Sequence, residues 1–167
     1  MSEAESMHEN STGLLLTPEG YASLQKELEH LTLNKRPEIA DRIRESQQHG
    51  EFSEDNNELD EVKFEQAMVE ERIATLKQIF GGAHVLDPDK IPTDHVGIGS
   101  RVTVLDIEFA DEFEVRVVSS IEADPQEMLI SNESPMGLAL LGHEAKSEVE
   151  FEAPDGLKRL RILKIVR

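Results

Sequence analysis

Apolar residues recur at helical spacing in the first part of the chain. Tyr21, Leu24, Leu28 and Leu31 follow one another at steps of three, four and three residues. Residues at these spacings lie on one face of a helix. Thr17 suits the N-cap position of this helix and Pro18 its first turn. The pattern therefore predicts an amphipathic helix that begins at about Pro18.

Pro37 interrupts this line of apolar residues, which we call the seam. Proline lacks the backbone N–H and its ring clashes with the carbonyl group four residues earlier, so we predict that the helix kinks or restarts there. Ile39 and Ile43 resume the apolar stripe, but they are displaced by one residue from the earlier register. Gly50 is predicted to end the helix, because glycine favours the C-terminal cap.

A second helix is predicted from a seam that alternates steps of three and four residues. The seam consists of Leu59, Val62, Gln66, Val69, Ile73, Leu76 and Phe80. This is a heptad pattern with one polar member, Gln66. Asp55 and Glu58 are predicted to cap its start, and Gly81-Gly82 to end it. Two such helices joined by a short loop predict an antiparallel two-helix coiled coil.

From about residue 98 onward the apolar period changes to two, which is typical of strands. Five strand segments follow: 102–105, 113–117, 128–130, 149–151 and 160–166. Ser134-Pro135 is predicted to open a short helix that Gly142 closes, and Pro154-Asp155-Gly156 to form a turn. The predicted fold class is α+β, with the helical hairpin followed by an antiparallel sheet and one short helix.

These patterns divide the chain into four parts. Residues 1–13 are polar and rich in small residues, and are predicted to be a disordered tail. Residues 14–82 form the coiled-coil hairpin and residues 98–167 the sheet domain. Between them, residues 83–97 contain Pro88, which lies between two aspartates, and Pro92, and they are predicted to be a linker.

Composition narrows the possible partners. The chain has 17 Lys and Arg residues against 35 Asp and Glu residues, for a formal net charge of -18. This balance argues against self-sufficient binding to nucleic acid, which requires a basic footprint, and is compatible with a basic protein surface. The chain has 0 Cys, which excludes disulfides and thiolate metal sites. No apolar run approaches the roughly 20 residues that span a bilayer, and no signal peptide is evident, so we expect a cytoplasmic protein without membrane contact.

Acidic residues are dense where the two predicted helices meet. Before the first basic residue, Lys63, this cluster contains Glu51, Glu54, Asp55, Glu58, Asp60 and Glu61. Most acidic runs are solvated surface. Like charges this close repel one another, however, so a cation or a positively charged partner is a second interpretation. Glu51 and Glu54 could share a Mg²⁺ ion, but Mg²⁺ bound by one or two carboxylates usually takes further ligands from waters and phosphates. Alone they should bind metal weakly.

Three segments resemble the GreA/GreB family of bacterial transcript cleavage factors. They are Leu16-Thr17-Pro18-Glu19-Gly20-Tyr21 at the start of the first helix, His49-Gly50-Glu51-Phe52-Ser53-Glu54-Asp55 at the bend, and the string from Ile130 to Gly142. The string Ser134-Pro135-Met136-Gly137-Leu138-Ala139-Leu140-Leu141-Gly142, together with the bend, is the specific part of this resemblance.

The resemblance implies an FKBP-like C-terminal domain that binds RNA polymerase at the rim of its secondary channel. The coiled coil would enter that channel and stimulate the polymerase's own cleavage of backtracked RNA, so the factor would not be an enzyme by itself. The expected partners are therefore RNA polymerase and the nascent RNA 3′ end, and the factor is expected to be a monomer.

The resemblance also assigns roles to individual residues of this chain. Glu51 and Glu54, with Asp55 as a further ligand, would hold a Mg²⁺ ion shared with the polymerase. Lys63 and Arg44 would contact RNA. The polymerase-binding residues would be Ser134, Pro135, Met136, Gly137 and Leu140.

Departures from the family pattern keep two alternatives open. Glu51 stands where the family usually has Asp, and one residue is inserted between Glu54 and Lys63. Because about 1 Å of misplacement can cost about 100-fold in rate, the chain could instead be an inhibitory relative that occupies the same channel. An FKBP-like domain could also be a prolyl isomerase, but 1 Tyr, 6 Phe and 0 Trp offer little for an aromatic-lined pocket.

Overall fold

The computed structural model describes residues 14–50 and 57–167, except the side chains of residues 49 and 50. The predicted disordered tail and the tip acids Glu51, Glu54 and Asp55 lie outside these ranges. The chain divides into two compact units. One unit joins the segment ending at Gly20 to His84–Arg167, and the other is Tyr21–Ala83. The first helical turn is thus grouped with the C-terminal part, whereas the sequence pattern assigned all of residues 14–82 to the hairpin.

The predicted helical hairpin is present. Its first arm contains α1 (Pro18–His30), a π-helical turn (Leu31–Lys35) and α2 (Arg36–Gly50). Its second arm is α3 (Asn57–Gly82), which ends at the predicted glycine pair. No helix in the described ranges is long and apolar enough to cross a membrane.

The π turn explains the displaced apolar stripe. The Arg36 N–H donates to the Leu31 carbonyl oxygen, five residues back. Such a turn holds one residue more than an α-helical turn. It ends at Lys35, two residues before Pro37, which cannot donate a backbone hydrogen bond. The extra residue returns Ile39 to the seam, where its side chain is 1% exposed. The predicted restart of the helix is therefore confirmed.

The hairpin core is aliphatic. Its buried side chains are Leu24, Ile39, Val62, Ile73 and Leu76. At one end, the Tyr21 and Phe80 rings meet edge to face with their centroids 5.1 Å apart.

The prediction that Gln66 lies in the seam is wrong. Gln66 is exposed, and its neighbour Glu65 is half-buried instead. The Glu65 carboxylate lies 2.7 Å from Arg42 Nη1 and 3.8 Å from Lys35 Nζ. Two cations from the other arm therefore compensate for the partial burial of this carboxylate, which sequence spacing could not indicate.

Within the described ranges, seven strands form two sheets. The two-stranded sheet pairs β1 (Leu14–Leu16) with β2 (Ala83–Val85). The five-stranded sheet has the order β5-β4-β3-β7-β6. Its strands are β3 (Arg101–Asp106), β4 (Asp111–Val118), β5 (Leu129–Ser131), β6 (Glu148–Ala153) and β7 (Gly156–Val166).

The prediction of a fully antiparallel sheet is wrong at one edge. β5 runs parallel to β4, with Arg116 paired to Leu129 and Val118 to Ser131. The intervening residues 119–128 include a 3-10 helix (Pro125–Glu127), and they carry the chain back so that β5 runs in the direction of β4. A three-residue apolar segment has no feature that encodes strand direction, so the sequence pattern could not reveal this pairing.

The core of the C-terminal unit lies between the sheet and α4 (Pro135–Leu140). Its buried members include Val102, Val104, Val115, Val117, Leu140, Leu160 and Ile162. Residues 83–97, predicted to be a linker, contain β2 and a 3-10 helix (Pro88–Lys90). Ile91 is 3% exposed and Val96 1% exposed, so this segment is anchored by buried apolar side chains.

Candidate functional site

The predicted tip acids lie in the sequence between two helices whose ends the structure describes. α2 ends at Gly50 and α3 begins at Asn57, so residues 51–56 link the arms of the hairpin. Glu58 and Asp60 lie in the first turn of α3, where acidic side chains favour the positive end of the helix dipole. Within residues 14–50 and 57–167, no three His, Asp or Glu side chains converge as metal ligands.

The two predicted RNA contacts differ in their surroundings. The Arg44 guanidinium is exposed and pairs with the Asp41 carboxylate three residues earlier. Lys63 is also exposed, one to two turns into α3, and forms no ion pair with another residue of the described ranges. Of these two side chains, Lys63 is therefore the better placed to bind an external anion.

Ion pairs join the arms of the hairpin along its length. The Arg72 guanidinium donates to both carboxylate oxygens of Glu27, at 2.6 and 2.9 Å. Arg36 binds Glu70 in the same bidentate way, at 2.8 Å for both bonds. These hydrogen bonds lower the pKa of Glu27 and of Glu70 below the ordinary value of glutamate. Both carboxylates thus stay ionised at neutral pH, and the stability they contribute is lost only as the pH falls through their lowered pKa.

The string predicted to bind polymerase forms α4 and its cap. Ser134 is the N-cap, with its Oγ accepting a hydrogen bond of 3.1 Å from the Gly137 N–H. Leu140 is 0% exposed and belongs to the core, and Gly137 is buried against the Ser131 carbonyl group. Gly137 and Leu140 can therefore serve a partner surface only by holding α4 in place. Pro135 is exposed, whereas Met136 is half-buried against the core.

Leu138 was missed by the sequence prediction. Its side chain is 62% exposed, although it lies in the middle of an apolar string. In a helix, residues three apart share a face, so Leu138 accompanies Pro135 on the exposed side while Gly137 and Leu140 face inward. Helical spacing within the string was the signal that could have separated these two sides.

Glu122 is a second residue that the sequence did not reveal. The Thr17 N–H donates to Glu122 Oε2 at 2.8 Å, and Thr17 Oγ1 donates to Glu122 Oε1 at 2.5 Å. Thr17 Oγ1 also accepts a hydrogen bond of 3.1 Å from the Gly20 N–H, which confirms the predicted N-cap. Glu122 lies 105 residues away in the sequence and so could not be inferred from local pattern. It joins the first turn of α1 to a distant part of the same compact unit.

Replacing Glu122 with Ala is expected to destabilise this first turn. The substitution removes both hydrogen bonds that the 1%-exposed Thr17 donates to the Glu122 carboxylate. Hydrogen bonds to charged groups contribute about 1.5–3 kcal/mol, so an effect of about 2 kcal/mol is expected. Amide hydrogen exchange at Thr17 and Gly20 measures it. Glu127→Ala, which removes an exposed acid from the same loop, should leave that exchange unchanged, and equal exchange in both variants would contradict the assignment.

Comparison with known proteins extends over both units. A family model described as the N-terminal domain of transcription elongation factors matches residues 14–85, and one described as the GreA/GreB C-terminal domain matches residues 91–167. A protein named transcription elongation factor GreA from Clostridioides difficile is 50% identical over 161 residues, covering 96% of this chain and 100% of the relative. One from Acetivibrio thermocellus is 47% identical over 152 residues, covering 91% and 95%.

Among solved structures, GreA factor homolog 1 of Thermus thermophilus is 30% identical, with a TM-score of 0.43, covering 93% of this chain and 99% of that one. The two family models together span nearly all of the described residues, and the relatives match over almost their whole length. The chain therefore belongs to the GreA/GreB family of transcription elongation factors.

Proposed function

We propose that this elongation factor binds RNA polymerase, inserts its hairpin into the secondary channel and stimulates cleavage of backtracked RNA. The observation that carries the proposal is the pair of helices α2 and α3, between which the tip acids lie in the sequence. Ion pairs and an aliphatic seam brace the two arms, so the hairpin suits insertion as a preformed element. Its relatives named transcription elongation factor GreA support the same role.

The tip acids Glu51 and Glu54 fit Mg²⁺ by their chemistry. Carboxylate oxygens are ligands that this hard cation prefers, and Asp55 offers a further one. A bound Mg²⁺ would activate water and offset the negative charge that develops during cleavage. This chain would contribute the two carboxylates. The remaining ligands would come from the polymerase and the RNA phosphates, so the ion is shared.

Lys63 and Arg44 are proposed to contact the RNA. Lys63 is exposed and unpaired within the described ranges, so it can approach a phosphate without first breaking an ion pair. Arg44 would have to break its ion pair with Asp41 before it could bind the RNA. We therefore assign the larger share of this contact to Lys63. The chain's net charge of -18 agrees with contact to RNA that the polymerase already holds rather than with capture of free RNA.

The C-terminal unit is proposed to be an FKBP-like docking domain for the rim of the channel. Pro135 and Leu138 form the exposed side of α4, with Met136 partly accessible, and Ser134 caps the helix. Buried Gly137 and Leu140 fix the helix on the sheet. The polymerase makes the cut, so the factor is not an enzyme by itself. We further propose that it acts as a cytoplasmic monomer.

An inhibitory role is the second candidate. Glu51 is one methylene longer than the usual Asp, and the inserted residue lies between Glu54 and Lys63. Together these could place the carboxylates where they bind the metal without supporting cleavage.

Cleavage of backtracked RNA tests the proposal directly. Elongation complexes with a backtracked, end-labelled RNA are incubated with the factor, and the release of short 3′ fragments is followed. Faster release than in complexes without the factor supports stimulation. Slower release together with slower nucleotide addition supports the inhibitor. If the factor binds the complexes and changes neither rate, both proposals fail.

A further inference from the structure

The most exposed large apolar side chain in the described ranges lies on the hairpin. Phe64 is 70% exposed, and Met68, four residues later on α3, is 52% exposed. Residues four apart share a helix face, and Ala67 between them is also exposed. The seam residues Val62 and Ile73 are buried on another side of α3. Phe64, Ala67 and Met68 thus form an outward apolar patch, called here the α3 patch.

Within the described ranges, packing inside the hairpin does not explain the α3 patch. An exposed aromatic ring adds nothing to a core that is already closed by the seam and by the Tyr21–Phe80 contact. Exposed aromatic residues are enriched where proteins bind other molecules. Phe64 is the eighth residue of α3, so it lies about 10 Å along the helix from its start. The patch therefore lies close to the end of the hairpin that carries the tip acids.

The charges around the α3 patch indicate what it binds. Asp60 and Glu61 precede Phe64 by one turn, and Glu71 follows Met68 by one turn. All three are exposed and lie beyond ion-pair distance of any cation of the described ranges, although Glu61 is near enough to Arg42 to help raise the pKa of its guanidinium. Lys63 is the one adjacent unpaired cation among the described residues. An acidic rim repels RNA phosphates and attracts basic side chains, so the charges favour a protein over RNA stacked on the ring.

We infer that the α3 patch is an anchor that fits an apolar pocket with basic side chains at its rim on RNA polymerase. This inference rests on the proposed function, since it takes the hairpin to enter the polymerase. The two side chains expose too little area for an independent interface, because stable interfaces bury about 800 Å² on each partner. The patch instead adds affinity and fixes the rotation of the hairpin about its long axis.

Phe64→Ala is the test, with Phe109→Ala as the matched control. Phe109 is 60% exposed in the turn between β3 and β4, so both variants remove an exposed ring without opening a core. We expect Phe64→Ala to raise the factor concentration for half-maximal binding to polymerase about tenfold, and Phe109→Ala to leave it unchanged. Binding is measured on RNA-free polymerase as well as on backtracked complexes.

The pattern of affinity loss shows whether the α3 patch contacts a polymerase pocket or an RNA base. Phe64→Leu should retain most of the affinity if the occupant is an apolar pocket, because leucine fills such a pocket but offers no ring for a base. A loss seen only when RNA is present, and shared by Phe64→Leu, would assign the patch to RNA and overturn the inference. Equal binding by Phe64→Ala and the wild-type chain would overturn it too. Failure of the proposed function is distinguishable, because then the wild-type chain itself would neither bind polymerase nor alter cleavage.

Discussion

Glu54→Ala is expected to lower the stimulated rate of RNA cleavage by about 100-fold or more, while binding to polymerase stays within about twofold of the wild-type value. The resemblance aligns Glu54 with the glutamate of the family's tip motif, and Glu54 is one of the two carboxylates proposed to share Mg²⁺ with the polymerase. Removing Glu54 leaves Glu51, with Asp55 as the further ligand. Since the factor supplies only part of the site, we expect these two carboxylates not to hold the ion in the reactive arrangement.

The control for this experiment is Glu58→Ala. It removes the same charged group four residues further along, in the first turn of α3. If the tip acts only through its negative charge, both variants lose activity to a similar extent. If Glu54 acts as a ligand, Glu58→Ala retains nearly full activity. The comparison therefore separates a general electrostatic effect from coordination by a particular carboxylate.

Titration with Mg²⁺ adds a readout that a folding defect would not produce. A variant that has lost a ligand should require a higher Mg²⁺ concentration for half-maximal cleavage, whereas a partly unfolded variant loses amplitude at every concentration. An unchanged Mg²⁺ dependence together with normal cleavage in Glu54→Ala would contradict the proposed role. Both measurements use the full chain bound to backtracked complexes.

The hairpin could be predicted from sequence because each arm depends on short-range periodicity. Tyr21, Leu24 and Leu28 mark one side of α1, and Val62 and Ile73 mark one side of α3. The π turn was also visible in the sequence, because the apolar stripe is displaced by one residue at Ile39. The position of Glu65, in contrast, depends on Arg42 and Lys35 from the other arm, and helical spacing within α3 alone favoured Gln66.

In the C-terminal unit, local chemistry predicted the short helix and the turns but not the long-range contacts. Ser134 and Pro135 mark the start of α4 by capping, which is a local effect. The parallel pairing of β5 depends on the path of residues 119–128, and Glu122 reaches a residue 105 positions away. Charge density in the sequence indicated the acidic cluster that contains Glu51 and Glu54. It did not decide between solvated surface and a metal site, and that choice rested on the resemblance to the family's motif.

Gly137→Ala is expected to destabilise the C-terminal unit by about 3 kcal/mol. A Cβ at this position would lie 1.9 Å from the Ser131 carbonyl oxygen and 2.9 Å from its carbon. Real contacts of this kind are never so short, and both atoms belong to the backbone. By helix propensity alone, alanine would stabilise a helix by about 1 kcal/mol relative to glycine. The expected loss of stability is therefore opposite in sign to the effect of helix propensity.

The Ser131 carbonyl group cannot move away without breaking other contacts. Its oxygen accepts hydrogen bonds from the Ser134 N–H at 3.1 Å and from Ser134 Oγ at 2.7 Å. Ser131 also ends β5, and the next residue, Asn132, donates to the Val118 carbonyl oxygen at 2.8 Å. Relief of the clash must therefore displace α4 or separate β5 from β4.

Gly81→Ala is the matched control for this substitution. Gly81 lies in the last turn of α3, and a Cβ there meets no atom within 4 Å. This change should leave stability unchanged or raise it slightly.

Because the chain has two compact units and 0 Trp, residue-level hydrogen exchange is a better measurement than a single melting curve. Similar exchange in β5 and α4 for both variants would contradict the expected clash.

The same substitution tests whether α4 serves docking. Displacement of the helix moves Pro135 and Leu138, which form its exposed side. If that side binds polymerase, Gly137→Ala raises the factor concentration needed for half-maximal cleavage, whereas the rate at saturation stays near that of the wild-type chain. Glu54→Ala gives the opposite result, with normal binding and slow cleavage. Opposite effects in these two variants would assign docking to the C-terminal unit and chemistry to the hairpin, whereas a lower saturated rate in Gly137→Ala would contradict that assignment.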